Sequence, residues 1–201
     1  MQWPFPKPIN VFVIPEDFRN DQFILQPLIK AMIADLGAPK AKIVICRDPL
    51  LGGITEALKF ENLEGIVRRY RGMVDLFILC VDRDGDPNRR AALDGLERRI
   101  GGSLEGGGAF FAEHAWQEIE VWVLAGHDLP VDWVWAEIRS EPHPKERYFE
   151  PFARSRSVND GPGGGRKALA DAAARRLGRI CQLCREDFAA LRERISTYIA
   201  S

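Results

Sequence analysis

The run Val74-Asp75-Leu76-Phe77-Ile78-Leu79-Cys80-Val81 is short, nearly all apolar, and leads straight into Asp82-Arg83-Asp84-Gly85-Asp86. An apolar run of this length suits a strand covered on both faces, as strands in parallel sheets are. Such a strand needs helices on each side, which commits the chain to an α/β layout. The carboxylates then stand where a buried strand ends and a loop begins. In open α/β sheets, ligands bind in the crevice beyond the carboxyl ends of the strands. Carboxylates at alternate positions repel one another unless solvent or a cation neutralises them, and hard oxygen donors suit Mg²⁺ or Mn²⁺. The plainer alternative is a solvated acidic turn, since Asp and Gly are ordinary loop residues.

The rest of the chain repeats the alternation. Ile9 to Ile14 reads as a strand stopped by Pro15-Glu16, followed by a helix from about Asp21 to Leu36 with Gly37 as its end. Lys42 to Cys46 is a second strand, and Thr55 to Tyr70 a helix leading to the strand at 74–82. Arg89 to Ile100 reads helical, Ala109-Phe110-Phe111 suggests a short fourth strand, and Glu113 to Ala125 reads as an apolar helix carrying Glu118 and Glu120. The pattern predicts a mostly parallel central sheet flanked by helices, over residues 1–127. Glu16 ends the first strand as Asp82 ends the third, so parallel pairing would bring both to one edge. Residues 128–165, rich in Pro, Gly, Trp and Arg, read as an irregular arm or lid. A helical region from Arg166 to Ile199, broken near Arg185-Glu186-Asp187, completes a C-terminal part (128–201) expected to pack on the same domain.

At 201 residues, 46% apolar and 28% charged, the chain has the composition of one globular domain. No apolar run approaches ~18 residues, so no membrane span is expected. Met1-Gln2-Trp3-Pro4-Phe5-Pro6-Lys7 lacks an apolar signal core, which makes a cytoplasmic location the expectation. The net charge of -1 excludes a globally basic nucleic-acid binder. Residues 139–201 nevertheless hold 13 Lys/Arg against 8 Asp/Glu, leaving 15 against 21 elsewhere. That asymmetry fits either a phosphate-binding half or a solvated helical face.

Several motifs fail on spacing. Cys181-Gln182-Leu183-Cys184 has no second cysteine pair or paired histidines to complete a zinc site. His114, His127 and His143 show no metal-ligand spacing. Gly161-Pro162-Gly163-Gly164-Gly165-Arg166-Lys167-Ala168 is one residue short of a phosphate loop, with Ala168 where Ser or Thr belongs. It reads instead as a hinge bringing Arg166 and Lys167 to an anion, or as a plain linker. The tryptophans at 116, 122, 133 and 135 suit core or interface packing.

Ile14-Pro15-Glu16, then Cys80-Val81-Asp82-Arg83-Asp84-Gly85-Asp86, resembles the TOPRIM domain of topoisomerases, primases and OLD-type nucleases. Trp116-Gln117-Glu118-Ile119-Glu120-Val121-Trp122 is similar to a Glu-x-Glu-aromatic segment of bacterial TOPRIM-like proteins related to the OLD nucleases, some of them in phage-defence systems. Cys184-Arg185-Glu186-Asp187-Phe188 resembles a C-terminal segment of those proteins. The resemblance implies Mg²⁺- or Mn²⁺-dependent phosphodiester chemistry on nucleic acid, DNA before RNA. It implies Asp82 and Asp84 as metal ligands, with Asp86, Glu118 and Glu120 as further candidates. Glu16 would hold a second metal or move a proton. Lys145 and Lys167 are the candidates for neutralising transition-state charge, and Arg147, Arg166 and Lys167 for binding substrate phosphates. No ATPase region precedes the TOPRIM-like part, so any energy-dependent control is expected either to come from an ATPase or other defence-system protein as partner or to be absent.

The chain departs from the family pattern. Asp17 replaces the usual Gly, and Asn20 stands where an acid is common, with Asp21 one residue later. On a helix over 113–125, Glu118 and Glu120 would point about 200° apart and could not both face one site. Asp82-Arg83-Asp84-Gly85-Asp86 also resembles the Asp-x-Asp-Gly-Thr motif of haloacid dehalogenase-like phosphatases, whose first Asp is a nucleophile. That motif usually follows the first strand rather than the third. A non-catalytic α/β assembly subunit is the remaining alternative.

Overall fold

The computed structural model describes residues 8–104 and 107–200. Four strands, β1 (Asn10–Pro15), β2 (Lys42–Ile45), β3 (Leu76–Asp82) and β4 (Ala109–Ala115), form one sheet in the order β2-β1-β3-β4. Every pairing is parallel, with Pro15 opposite Cys80 and Asp82 opposite Ala115. Parallel neighbours need crossovers, and helices supply them. These are α1 (Phe18–Asp35), the short α2 (Ile54–Ala57) with α3 (Phe60–Tyr70), and α4 (Arg89–Gly101).

Alternation along the central strands divides the core in two. Val11, Val13, Leu76, Ile78 and Cys80 face a cluster built on Ile24, Leu28 and Met32 of α1. Phe12, Ile14, Phe77, Leu79 and Val81 face Leu63 and Ile66 of α3 and Leu93 and Leu96 of α4. Both faces of β1 and β3 are therefore dry, which is why their sequences are apolar without interruption.

After β4 the chain turns into α5 (Glu120–Ala125) and α6 (Trp135–Ser140). A π-helical turn at Lys145–Phe149 runs into α7 (Glu150–Ser155). Then come α8 (Arg166–Ala173), α9 (Leu177–Leu183), a second π-helical turn at Arg185–Ala189 and α10 (Ala190–Ala200). This C-terminal part adds Phe152, Leu169, Ile180, Phe188 and Ile195 to the α1-side cluster. At Gly126 an added Cβ would lie 2.4 Å from Cβ of Ala173, so glycine permits the segment after α5 to lie directly against α8. The helical region breaks at Cys184, whose φ of -116° and ψ of 62° leave the helical range.

Two assignments from the sequence are corrected. The fourth strand is not confined to 109–111 but continues to Ala115, and residues 113–125 are not one helix. Glu113 belongs to the strand. It is 1% exposed and ion-paired to Arg90 (2.9 Å) and Arg194 (2.8 Å), partners that local periodicity does not see. Among the described residues, no helix is long and apolar enough to cross a membrane.

Candidate metal centre

Because the strands are parallel, the segments that follow β1, β3 and β4 leave the sheet on the same edge. Glu16 follows β1, and its Oε2 accepts a hydrogen bond from the Asp82 amide at 3.1 Å, across neighbouring strands. Asp17 caps α1 by accepting from the Arg19 amide at 2.9 Å, while its own amide donates to Asp21 Oδ2 at 2.8 Å. The start of α1 thus fixes Asp21 beside Glu16. Asp82 Oδ1 accepts from the Ile119 amide at 2.9 Å, tying the end of β3 to the entry of α5.

The segment between β4 and α5 is bolted to the loop after β3. Gln117, at a φ of 73°, accepts the Arg83 amide (2.9 Å) on its carbonyl and the Gly85 amide (2.9 Å) on its side chain. The backbone turns here, so Glu118 precedes the helix and Glu120 begins it. Both line one cleft, contrary to the divergence expected of a continuous helix. Glu118 Oε2 accepts from the Lys145 amide at 2.8 Å, and Glu120 Oε1 from Nε of Arg166 at 2.8 Å.

The result is a cleft of about 100 Å³ lined by Glu16, Asp17, Asn20, Asp21, Asp82, Glu118, Glu120, Lys145 and Arg166. Six carboxylates face two cations, a formal excess of four negative charges. Asp21, Asp82, Glu118 and Glu120 share a further property. Each has one oxygen held by an amide or by Arg166, and a second that makes no hydrogen bond to any described residue. Burial drives Asp82 well above the usual carboxylate range, and repulsion from Glu120, Asp21 and Glu16 adds to it, opposed by the Ile119 amide. Asp21 is raised in the same way, first by burial and then by Glu120, Asp17 and Glu16, against the Asp17 amide. Burial also raises Glu16, opposed by the Asp82 amide, and pushes Glu118 up to about 7. Burial and mutual repulsion thus both disfavour the ionised forms of these carboxyls.

Other residues singled out from sequence sit elsewhere. Asp84 occupies a left-handed turn (φ 52°), is exposed, and does not line the cleft, although its charge reaches Glu16. Asp86 accepts from the Asn88 amide at 2.9 Å and lies 3.7 Å from Arg89. Lys167 pairs with Asp171 at 2.6 Å on a separate groove between α1 and α8. Arg147 is exposed and paired with Glu141. Arg166 is 8% exposed and serves as counter-ion to Glu120, itself 4% exposed. The glycines before it make no anion cradle, because the amides of Gly164, Gly165 and Arg166 bond to carbonyls within the turn. Gly163, at a φ of 67°, instead lets the turn close against the Phe23 ring.

Sequence reasoning gave no part in the site to Asn20, His143 or Glu146, and set Asp21 apart as one residue out of step. The signal for Asp21 was the helix start, where positions 17 and 21 share a face. No protein-family model, curated protein or solved structure matches this chain.

Proposed function

We propose that the chain is a Mg²⁺- or Mn²⁺-dependent nuclease with a TOPRIM-like catalytic core, acting on DNA in a bacterial defence or DNA-processing system. The observation that carries this reading is the convergence of Glu16, Asp21, Asp82, Glu118 and Glu120 on one cleft, four of them with one oxygen held and one free. The donor set fits a hard divalent cation. It is all oxygen, it is oriented in advance by main-chain amides, and its charge is in excess. The parallel sheet with helices on both faces is consistent with a TOPRIM-like fold.

Divalent cations bound there would stabilise the attacking and leaving oxygens of a phosphodiester and acidify a water. Asp21, Asp82, Glu118 and Glu120 would hold them through their free oxygens. Glu16, raised by burial yet anchored by the Asp82 amide, suits the acceptance of a proton from the attacking water. Arg166 holds Glu120 in place through its Nε, at 2.8 Å. Lys145 lines the cleft, and its ammonium would neutralise charge on a substrate phosphate bound there. An ATPase or other defence protein is the partner this reading implies.

The phosphatase alternative has less support. It needs Asp84 to face the same substrate atom as Asp82, and Asp84 lies outside the cleft.

Asp82→Asn and Glu16→Gln should each abolish divalent-dependent cleavage of single- or double-stranded DNA while melting no lower than the parent, since each removes repulsion. An acyl-phosphate trapped on Asp82, or full cleavage by Asp82→Asn, would overturn the reading.

A further inference from the structure

Next to the carboxylate cleft stands a group of different chemistry. One ligand atom each of Glu118, His143 and Glu146 lie within 4.8 Å of one another. Two of the three come from the arm. Pro144 already has helical dihedrals (φ -65°, ψ -25°) as it enters the turn at Lys145–Phe149. Residues three apart on a helical turn share a side, so His143 and Glu146 project together. The Lys145 amide, lying between them in sequence, donates to Glu118 Oε2 at 2.8 Å and clamps this turn onto the cleft wall. The Lys145 ammonium lies 3.2 Å from Glu146 Oε1, so a cation already neutralises part of the group.

We propose that Glu118, His143 and Glu146 form a second metal position, with Glu118 shared between it and the carboxylate cleft, and that its imidazole makes it a Mn²⁺ site in preference to Mg²⁺. This deepens the nuclease reading and rests on it for the first position only. Two carboxylates balance the charge of a divalent ion, and three protein ligands leave coordination places for water or a phosphate oxygen. Imidazole favours first-row transition ions, whereas Mg²⁺ keeps to oxygen ligands and to its own water. Selectivity between the ions then lies with the arm rather than with the strand-end acids. The sequence hides the site because its ligands are divided between the entry to α5 and the arm, 25 residues apart at their nearest by the numbering of Glu118 and His143.

The test is Mn²⁺ binding to the full chain without substrate, with ions counted by EPR and imidazole coordination read by pulsed EPR as nitrogen coupling. The parent should bind a second Mn²⁺ and show nitrogen coupling that excess Mg²⁺ does not remove. His143→Ala, at an exposed position, should lose that coupling and one Mn²⁺. Glu146→Gln should weaken the same ion by ~10- to 100-fold or more, at least the cost of losing an outer-shell partner. Lys145→Ala should tighten it, since the competing ammonium is gone. Asp82→Asn should lose cleavage yet keep the nitrogen-coupled ion. Absence of nitrogen coupling in the parent at millimolar Mn²⁺, its persistence in His143→Ala, or unchanged affinity in Glu146→Gln would overturn the proposal. If cleavage needs Asp82 but no imidazole-bound ion exists, the second position fails alone. If that ion is present and no nucleic acid is cut, the nuclease reading fails alone.

Discussion

Glu118 shows how a single side chain couples this site to pH. Burial holds its carboxyl at about 7, against 4.5 for the free group. The folded chain therefore keeps a proton that the unfolded chain releases. Below about pH 4.5 both states are protonated and the group takes nothing from stability. As pH rises toward 7 the unfolded chain ionises first, and stability falls until the folded carboxyl also ionises. Glu16, Asp21 and Asp82 shift in the same direction. Without metal, the protein should thus melt at a lower temperature at pH 7 than at pH 5, and Glu118→Gln should flatten that fall. Saturating Mn²⁺ should reverse it, because the ion takes the ionised form. Melting curves across this range, unchanged in slope by Glu118→Gln, would mean the carboxyl is solvated. Residue identity alone shows part of this. Asp82 was legible because it ends a buried strand. Asp84 and Asp86 look equivalent in sequence, but a left-handed backbone at Asp84 turns the chain away and ends the alternation.

At the scale of elements, strands β1 and β3 and helices α1, α3 and α4 could be read from periodicity because each has an apolar pattern set by its own neighbours. The β4-to-α5 passage could not. Its strand carries buried Glu113, whose counter-ions Arg90 and Arg194 come from α4 and α10. Its turn depends on Asp187, fully buried in the second π-helical turn. Asp187 Oδ2 accepts from the Trp116 amide (2.8 Å), Trp122 Nε1 (2.9 Å) and Arg139 Nη1 (2.9 Å). One carboxylate from the C-terminal part thus positions the segment that presents Glu118 and Glu120. In Asp187→Asn one of the two accepting oxygens becomes an NH₂ group facing a donor, and Arg139 is left with only the exposed Glu186, at 3.2 Å, as a charged partner. Breaking a buried pair costs roughly 3–5 kcal/mol. Urea unfolding should show a loss of that order with an unchanged m-value, and Mn²⁺ affinity should fall with it. Wild-type stability in Asp187→Asn would remove Asp187 from this role.

For the whole molecule, the positive charge of the C-terminal part has a structural use that composition did not disclose. Arg139 and Arg166 neutralise buried acids, and Arg176 and Arg179 hold Asp128. Arg192 reaches Asp35 of α1, and Arg194 reaches Glu97 of α4 as well as Glu113 of β4. The basic half therefore stitches itself to the acidic half, and only Lys145 among the sequence-nominated lysines stands at the cleft. Packing follows the same line. Ile24, Leu28 and Trp122 share one apolar cluster with Leu169, Ile180 and Phe188, and Trp122 meets the Phe188 ring at 5.3 Å. Cutting the chain after His127 would expose that face of α1 and leave Glu113 and Glu120 buried or half-buried without Arg194 and Arg166. A fragment that loses the C-terminal share of this cluster buries too little apolar surface to offset chain entropy. Residues 1–127 alone should accordingly show weak near-ultraviolet dichroism, bind apolar dyes and unfold in urea without a sharp transition. A cooperative transition matching the full chain's would instead make residues 1–127 an autonomous domain, and the arginine contacts would then serve only to dock the arm.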